Sequence, residues 1–355
     1  METSTKFSNT EIVFVISNLV ISKLFLVYPT AFAALGASAS LLLAVITSVV
    51  GFVFMNLFVR LLKNKPDISS IFKSRALNII FSVLLISLFI CNQGYFVRSV
   101  SESLKISILP KSPLVFITFI FIAGVVICAH TGLKAIVRAH SFVTPFTIVL
   151  VIFLVISSAG NFDFYNLFPV MGNGYGMFSY LPLLLAYFAD FVILLFVIPF
   201  VSERADIKKI VYPSYAISSA VLIAVIGVYT LVIPTGASDN FFIPVYRIAQ
   251  YISFQSFMAR MESAFTIGWM LSYFLTSSTY LYITAMLTGR LFKAKSYRPF
   301  MYVIAVIISV ISFIPSGINT LVRYSNYFSI PRLILCMIIP VVILSVSKYR
   351  EAKRK

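Results

Sequence analysis

Apolar residues run along this chain in long blocks, separated by short charged or Gly/Pro-containing breaks. A bilayer core about 30 Å thick takes roughly 20 residues of helix to cross, and the blocks have that length. The pattern predicts helical spans at 11–33, 37–59, 76–99, 113–129, 141–159, 181–201, 212–234, 262–288, 299–315 and 329–347. The expected fold class is therefore an all-α integral membrane protein of about ten transmembrane helices. Ten spans divide into two groups of five, and an odd group size forces the second group to be inverted relative to the first. The arithmetic fits a five-plus-five inverted repeat within a single transmembrane domain. The first repeat would occupy 1–160, and an outer loop with the second repeat 161–355.

Composition strengthens this reading. Of 355 residues, 60% are apolar and 11% charged, too hydrophobic a balance for an ordinary soluble domain. The formal net charge of +17 would suit a nucleic-acid binder, but the basic residues sit in short clusters between spans and form no single basic face. Those clusters set orientation. With the N-terminus in the cytoplasm, 20 Lys and Arg fall inside and 6 outside, while Lys23 and Arg332 lie within or at the edge of spans. Both ends are thus expected in the cytoplasm. The first span lacks a small-residue cleavage site and should be retained.

Two outer segments are longer than turns. Residues 161–180 hold Pro169, Gly172, Gly174 and Gly176, so the backbone should bend sharply there. Residues 235–261 space Ile243, Tyr246, Ile248, Tyr251, Ile252 and Phe257 among polar positions, which fits either a short helix at the membrane interface or an ordinary packed loop helix. Cys91, Cys128 and Cys336 lie in apolar spans and read as small core residues. His130 and His140 stand in no metal-ligand spacing, so neither a metal nor another cofactor is expected. With no paired carboxylates at catalytic spacing either, an enzyme is not expected.

Three stretches carry a family resemblance: Leu24-Phe25-Leu26-Val27-Tyr28-Pro29, Asn166-Leu167-Phe168-Pro169-Val170-Met171-Gly172-Asn173-Gly174, and the run from Phe242 to Trp269 with Pro244-Val245-Tyr246-Arg247-Ile248-Ala249, Ser253, Arg260, Glu262 and Ser263. In order and position they resemble the B-subunit family of spore germination receptors, the endospore germination permeases, within the amino acid, polyamine and organocation transporter superfamily. The resemblance implies a LeuT-type fold in the spore inner membrane, beside an A-type membrane subunit and a C-type lipoprotein. It also implies that the chain binds a small polar germinant such as an amino acid. Members of that family tend to carry glycine where the first helix unwinds, whereas the first glycine here is Gly36. Ser17, Asn18, Ser22 and Lys23 would have to support a break.

Charged groups inside a membrane cost a few kcal/mol or more, so Lys23 and Asp190 ask for an explanation. Lys23 lies roughly 18 Å into the first span and Asp190 roughly 14 Å below the outer end of the sixth, which places them at similar depth. In an inverted-repeat fold, helices one and six line the central site. The two residues can form a buried ion pair that fixes helix packing, or bind the two ends of a zwitterion. Asn18 and Ser22 share a helix face at i and i+4, as do Tyr187 and Asp190 at i and i+3. Asn92 and Gln93 in span three are further ligand candidates. Ser277, Ser278 and Thr279, with Thr276, can coordinate a cation or simply hydrogen-bond neighbouring helices. In LeuT-type folds helices one and eight flank a sodium site, and by analogy the Lys23 ammonium would replace that ion. Arg260 and Glu262 can dock a partner subunit or form a local ion pair. The function expected from all this is germinant sensing, with autonomous secondary transport of amino acids or organic cations as the alternative.

Overall fold

Ser8 fixes where the first helix begins. Its hydroxyl accepts the Glu11 N–H at 3.2 Å while the Glu11 carboxylate accepts the Ser8 N–H at 2.8 Å, so two amides that lack helical partners are satisfied reciprocally. Helix α1 runs Asn9–Ile21, tightens into a 3-10 turn over Ser22–Phe25, and leaves helical geometry at Leu26 (φ −100°, ψ −130°). A second helix, α2, follows over Tyr28–Gly36. Pro29 sits in its first turn, where the missing N–H would have had no intrahelical partner; inside a continuous helix the ring would clash with the preceding turn. One apolar block thus becomes two helices. The break is made without a glycine: Leu26 keeps a negative φ, outside the left-handed region that favours glycine. Ser17 and Asn18 lie within intact α1, and only Ser22 and Lys23 belong to the tightened turn before the break.

The computed structural model describes residues 6–26, 28–62, 75–201, 206–234, 244–251 and 261–341. After α2 come α3 (Ser40–Leu62), α4 (Arg75–Ser107), α5 (Leu114–His130) and α6 (Leu133–Ser158). The stretch 174–200 is built from short pieces: a 3-10 turn, α7 (Leu181–Leu185), a 3-10 segment over Ala186–Ile193, α8 (Leu194–Val197) and a last turn. Then follow α9 (Lys208–Val232), α10 (Pro244–Tyr251), α11 (Met261–Leu291), α12 (Arg298–Ser312) and α13 (Ile318–Leu333), the last extended by a π-helical turn over Ile334–Ile338. No strand is found among the described residues.

Helices occupy the expected spans as far as they are described, with three marked shifts, and the end of the tenth span, 342–347, lies outside the described residues. The third runs on to Ser107 rather than 99, the fifth begins at Leu133 rather than 141, and the tenth at Ile318 rather than 329. Both early turns carry polar residues that look like loop in sequence but are held by neighbours; His140, for example, meets Thr279 of α11 at 3.0 Å. In the second outer segment, residues 235–243 and 252–260 lie outside the described part. Between them, α10 buries Val245, Ile248 and Ala249 against the protein, which makes it a packed loop helix.

Among the described residues five stretches are long and apolar enough to cross a membrane: 28–60, 76–107, 133–161, 174–200 and 208–232. They differ in what covers them. The most apolar part of 174–200 is 83% buried, that of 76–107 only 28%. Helix α1 is also enclosed, lying against α6, α9, α11 and the 186–193 segment. Large apolar side chains such as Phe52, Phe116, Phe119, Phe142 and Val306 point away from the bundle. Covering them with lipid, and pairing every backbone amide within helices, is what a bilayer demands.

The glycine-containing loop after α6 fastens the C-terminal ends of α2 and α9 together. The Asn173 amide donates to the Leu35 carbonyl at 3.1 Å, Ser38 Oγ donates to the Pro169 carbonyl at 2.6 Å, and the Asn166 amide donates to the Leu231 carbonyl at 3.1 Å. Carbonyls that end α2 and α9 are thereby satisfied. Gly172 sits at φ +46°, and a Cβ there would fall 2.0 Å from the Gly36 carbonyl oxygen. Only glycine fits.

Candidate functional site

Lys23 leaves α1 in the tightened turn, and the 3-10 geometry of Ala186–Ile193 stacks Tyr187 and Asp190 three residues apart on one side. The two elements meet there. Lys23 Nζ lies 2.6 Å from Asp190 Oδ2 and donates to the Tyr187 carbonyl at 2.7 Å. The rings of Tyr187 and Tyr28 flank the ammonium with centroids at 5.2 and 5.7 Å, close enough for both π faces to attract it. Tyr28, first residue of α2, packs edge-on against Tyr187 at 5.5 Å.

Two further groups converge on the same carboxylate. Arg332 of α13 places Nη2 3.0 Å from Asp190 Oδ1, with Nη1 3.5 Å from the Tyr28 hydroxyl. Tyr280 of α11 donates to Asp190 Oδ1 at 2.5 Å. Side-chain exposure is 7% for Lys23, 3% for Asp190 and 9% for Arg332, so these are desolvated charges. Removing one partner of such a group typically costs about 3–5 kcal/mol, because the other charge is left buried and unpaired. Asp190 therefore ties together α1, the 186–193 segment, α11 and α13.

The remaining candidates are placed differently. The Asn18 amide donates to the Ser272 carbonyl at 3.2 Å, and Ser22 accepts from Thr276 at 3.2 Å, so this face of α1 looks toward α11. The Tyr187 hydroxyl reaches the Ser218 carbonyl of α9 at 3.5 Å. Asn92 and Gln93 are buried in α4, but among the described residues no hydrogen bond joins them to the charges. In the hydroxyl run, Ser278 donates to the carbonyls of Phe274 and Val125, and Thr279 donates to that of Leu275. These bonds are helix contacts. The Lys23 ammonium turns to Asp190 and not to Ser277, Ser278 or Thr279. Arg260 lies outside the described residues, and Glu262 stands in the first turn of α11 with its side chain also outside them. Among the described residues no group of His, Cys, Asp or Glu could hold a metal ion.

Arg332 and Tyr280 were not anticipated. Arg332 looked like the edge of a span beginning at 329; since α13 starts at Ile318, it lies 14 residues into the helix, or about 21 Å along it.

A broken first helix pinned by charge to a segmented partner, inside a sheath of apolar helices, defines a membrane protein with a LeuT-type fold. Solved structures bear this out. MhsT in complex with L-phenylalanine superposes with a TM-score of 0.70 at 12% identity, over 96% of this chain and 89% of that one. The inward-facing conformation of Mhp1 gives 0.62 at 12% identity, over 93% and 76%. Identity this low shows the fold alone. Sequence supplies the family: residues 6–321 match the model of the spore germination protein family, and the chain belongs to it. Among curated relatives from Bacillus subtilis (strain 168), spore germination protein B2 is 28% identical over 232 residues, 61% of this chain and 61% of its own length. Spore germination protein A2 is 25% identical over 290 residues, 78% and 77% of the two chains. The match to B2 thus spans less than two thirds of that relative. Family and fold are of germination and transporter type, not enzymes.

Proposed function

We propose that this chain is the nutrient-sensing, B-type subunit of a spore germination receptor. A small polar nutrient such as an amino acid would bind between α1 and the 186–193 segment. It would act by shifting a conformational equilibrium, which a ligand can do only through unequal affinity for the two states. The observation that carries this reading is the Lys23–Asp190 contact at 2.6 Å, which joins the two segmented elements. A ligand that enters there changes the free energy of their apposition. Asn18, Ser22 and Tyr187 would complete the pocket, with Asn92 and Gln93 farther off. The rest of the proposal is topological and cellular: ten spans with both ends in the cytoplasm, repeats over 1–160 and 161–355, and the spore inner membrane as location. An A-type membrane subunit and a C-type lipoprotein would be the partners, met in part through Arg260 and Glu262.

A second reading, autonomous secondary transport of an amino acid or organic cation, is favoured by the transporter fold of MhsT and Mhp1. Deleting the gene and exposing the spores to a panel of nutrients separates the two. Lost germination toward one nutrient with normal vegetative uptake selects the receptor; lost uptake selects the transporter. Complementation with Asn18→Ala or Tyr187→Ala should raise the half-maximal nutrient concentration about tenfold for each contact worth about 1.4 kcal/mol. Unchanged dose-response curves in both, with normal subunit levels on immunoblots, would place the site elsewhere.

A further inference from the structure

Two stretches of the sequence hold no acidic residue, 103–162 and 263–350. Each contains a helical hairpin, α5–α6 in the first and α11–α12 in the second. Their turns lie side by side at one end of the bundle, since the ring of His130, the last residue of α5, comes within 6.4 Å of the Tyr302 ring in α12. The α5–α6 side carries Lys134 and Arg138, and the α11–α12 side carries Arg290, Lys293, Lys295 and Arg298. All are exposed except Arg290, which is half-buried, and among the described residues no salt bridge neutralises any of them.

Basic residues at one end of a membrane bundle ordinarily do no more than set orientation. The other basic clusters of the chain differ from this one in their sequence. Residues 60–75 include Asp67, 203–209 include Glu203 and Asp206, and 348–355 include Glu351. Only around the two hairpins is positive charge gathered without an acid beside it. Helix dipoles do not supply the missing balance, because two helices end and two begin here and their terminal charges largely offset. The mutual repulsion of these side chains is relieved by a bound anion.

The faces beyond the turns indicate what kind of anion. On α6, Lys134 and Arg138 are followed four residues on by Phe142, and Phe146 and Val149 continue the exposed face; on α12, Arg298 is followed at four-residue steps by Tyr302, Val306 and Val310, all exposed. Each face is cationic at its end and apolar beyond. That sequence of charge and hydrocarbon fits an amphiphile with an anionic head, whereas an acidic protein segment would leave the apolar part unused. Two sets of cations on adjacent turns suit two anionic centres held a short distance apart.

We propose that the two turns hold a phospholipid that carries two phosphates, one received by Lys134 and Arg138 and the other by Lys293, Lys295 and Arg298, with its acyl chains along the exposed faces of α6 and α12. Such a lipid ties the α5–α6 hairpin to the α11–α12 hairpin. Its binding does not depend on what enters the junction at Asp190.

The test is thermal unfolding of the detergent-purified full chain at about 0.15 M salt, titrated with micelle-dispersed cardiolipin, phosphatidylglycerol or phosphatidylcholine, with inorganic pyrophosphate, and with polyglutamate. Cardiolipin should raise the melting temperature saturably, phosphatidylglycerol should need about tenfold more phosphate, and the other three should have no saturable effect. Lys134→Gln with Arg138→Gln, and separately Lys295→Gln with Arg298→Gln, should each raise the half-saturating cardiolipin concentration about tenfold or more. Lys208→Gln with Lys209→Gln, which removes two exposed cations beside Asp206 at the start of α9, should leave it unchanged. If either double variant of the hairpins does not fold, its two single variants are titrated in its place. The proposal is overturned by phosphatidylglycerol equal to cardiolipin at matched phosphate, by an equal shift with phosphatidylcholine or pyrophosphate, by no saturable shift at all, or by the Lys208 and Lys209 change weakening cardiolipin as much as either hairpin change. A saturable response to polyglutamate that matches or exceeds cardiolipin would assign the surface to an acidic protein and also overturn it.

Discussion

Helix α1 holds polar groups in two opposite ways. At its C-terminal end the groups are charged, and each charge has partners: Lys23, Asp190 and Arg332 are held at 2.6 and 3.0 Å with Tyr280 as an added donor. Along its middle the groups are neutral and loosely matched. Thr144 donates to the Phe14 carbonyl at 2.9 Å, Asn18 to that of Ser272, and Ser272 meets Thr147 at 2.8 Å. On this side Ser17 Oγ, Asn18 Oδ1, His140 Nδ1 and Ser277 Oγ are buried with no hydrogen-bond partner. An unpaired neutral group costs about 1–3 kcal/mol, an unpaired buried charge considerably more. The charged end therefore fixes the register between elements. The neutral face holds its neighbours by fewer and weaker bonds, so less free energy opposes a shift of helices along it.

The contrast is broken or sharpened by substitution, beginning with the largest effect. Asp190→Asn leaves Lys23 and Arg332 without a counter-charge and should lower stability in detergent by about 3–5 kcal/mol; a loss below 1 kcal/mol would mean the charged end fixes nothing. Lys23→Met leaves the Asp190–Arg332 pair intact, so its cost should be smaller than that of Asp190→Asn. In a double-mutant cycle the two should couple by about 1–3 kcal/mol, and simple additivity would remove the pairing. Asn18→Ala deletes one bond but also an acceptor that already lacks a partner, so about 1 kcal/mol is expected from thermal unfolding. Ser278→Ala removes a hydroxyl that donates to backbone carbonyls of its own helix and of α5 and should change stability by no more than about 0.5 kcal/mol. An Asn18→Ala or Ser278→Ala loss as large as that of Asp190→Asn would erase the distinction.

Part of the site was legible before any coordinates. A lysine and an aspartate at matched depth in two apolar blocks had to find partners, because hydrocarbon offers none, and they found each other. The family motif around Asn166–Gly174 was equally visible, and its geometry explains it: two amides and a hydroxyl join this loop to the ends of α2 and α9, with glycine where a backbone carbonyl approaches. The expected cation site at Ser277–Thr279 was legible only as a composition of hydroxyls, and in the structure Ser278 and Thr279 face carbonyls of their own helix and of α5. Arg332 stayed hidden because polar residues at 318–328 hid the start of α13, and a shift from 329 to 318 moves a side chain about 16 Å along the helix axis, the depth of a membrane leaflet.

The sequence by itself determined that the chain is a helical membrane protein, where its apolar helices run, and which two charges lie too deep to stand alone. Each of these follows from a local count of residues against the thickness and dielectric of a bilayer. The tertiary structure alone decided that the first helix breaks at Leu26, at the end of a tightened turn that begins with Ser22 and Lys23, and that 186–193 is wound as a 3-10 segment. It also decided that Arg332 and Tyr280 close on Asp190 from helices far away in sequence. Rotation and register between helices depend on packing among residues hundreds of positions apart, and no periodicity within one helix encodes the angle at which it meets another.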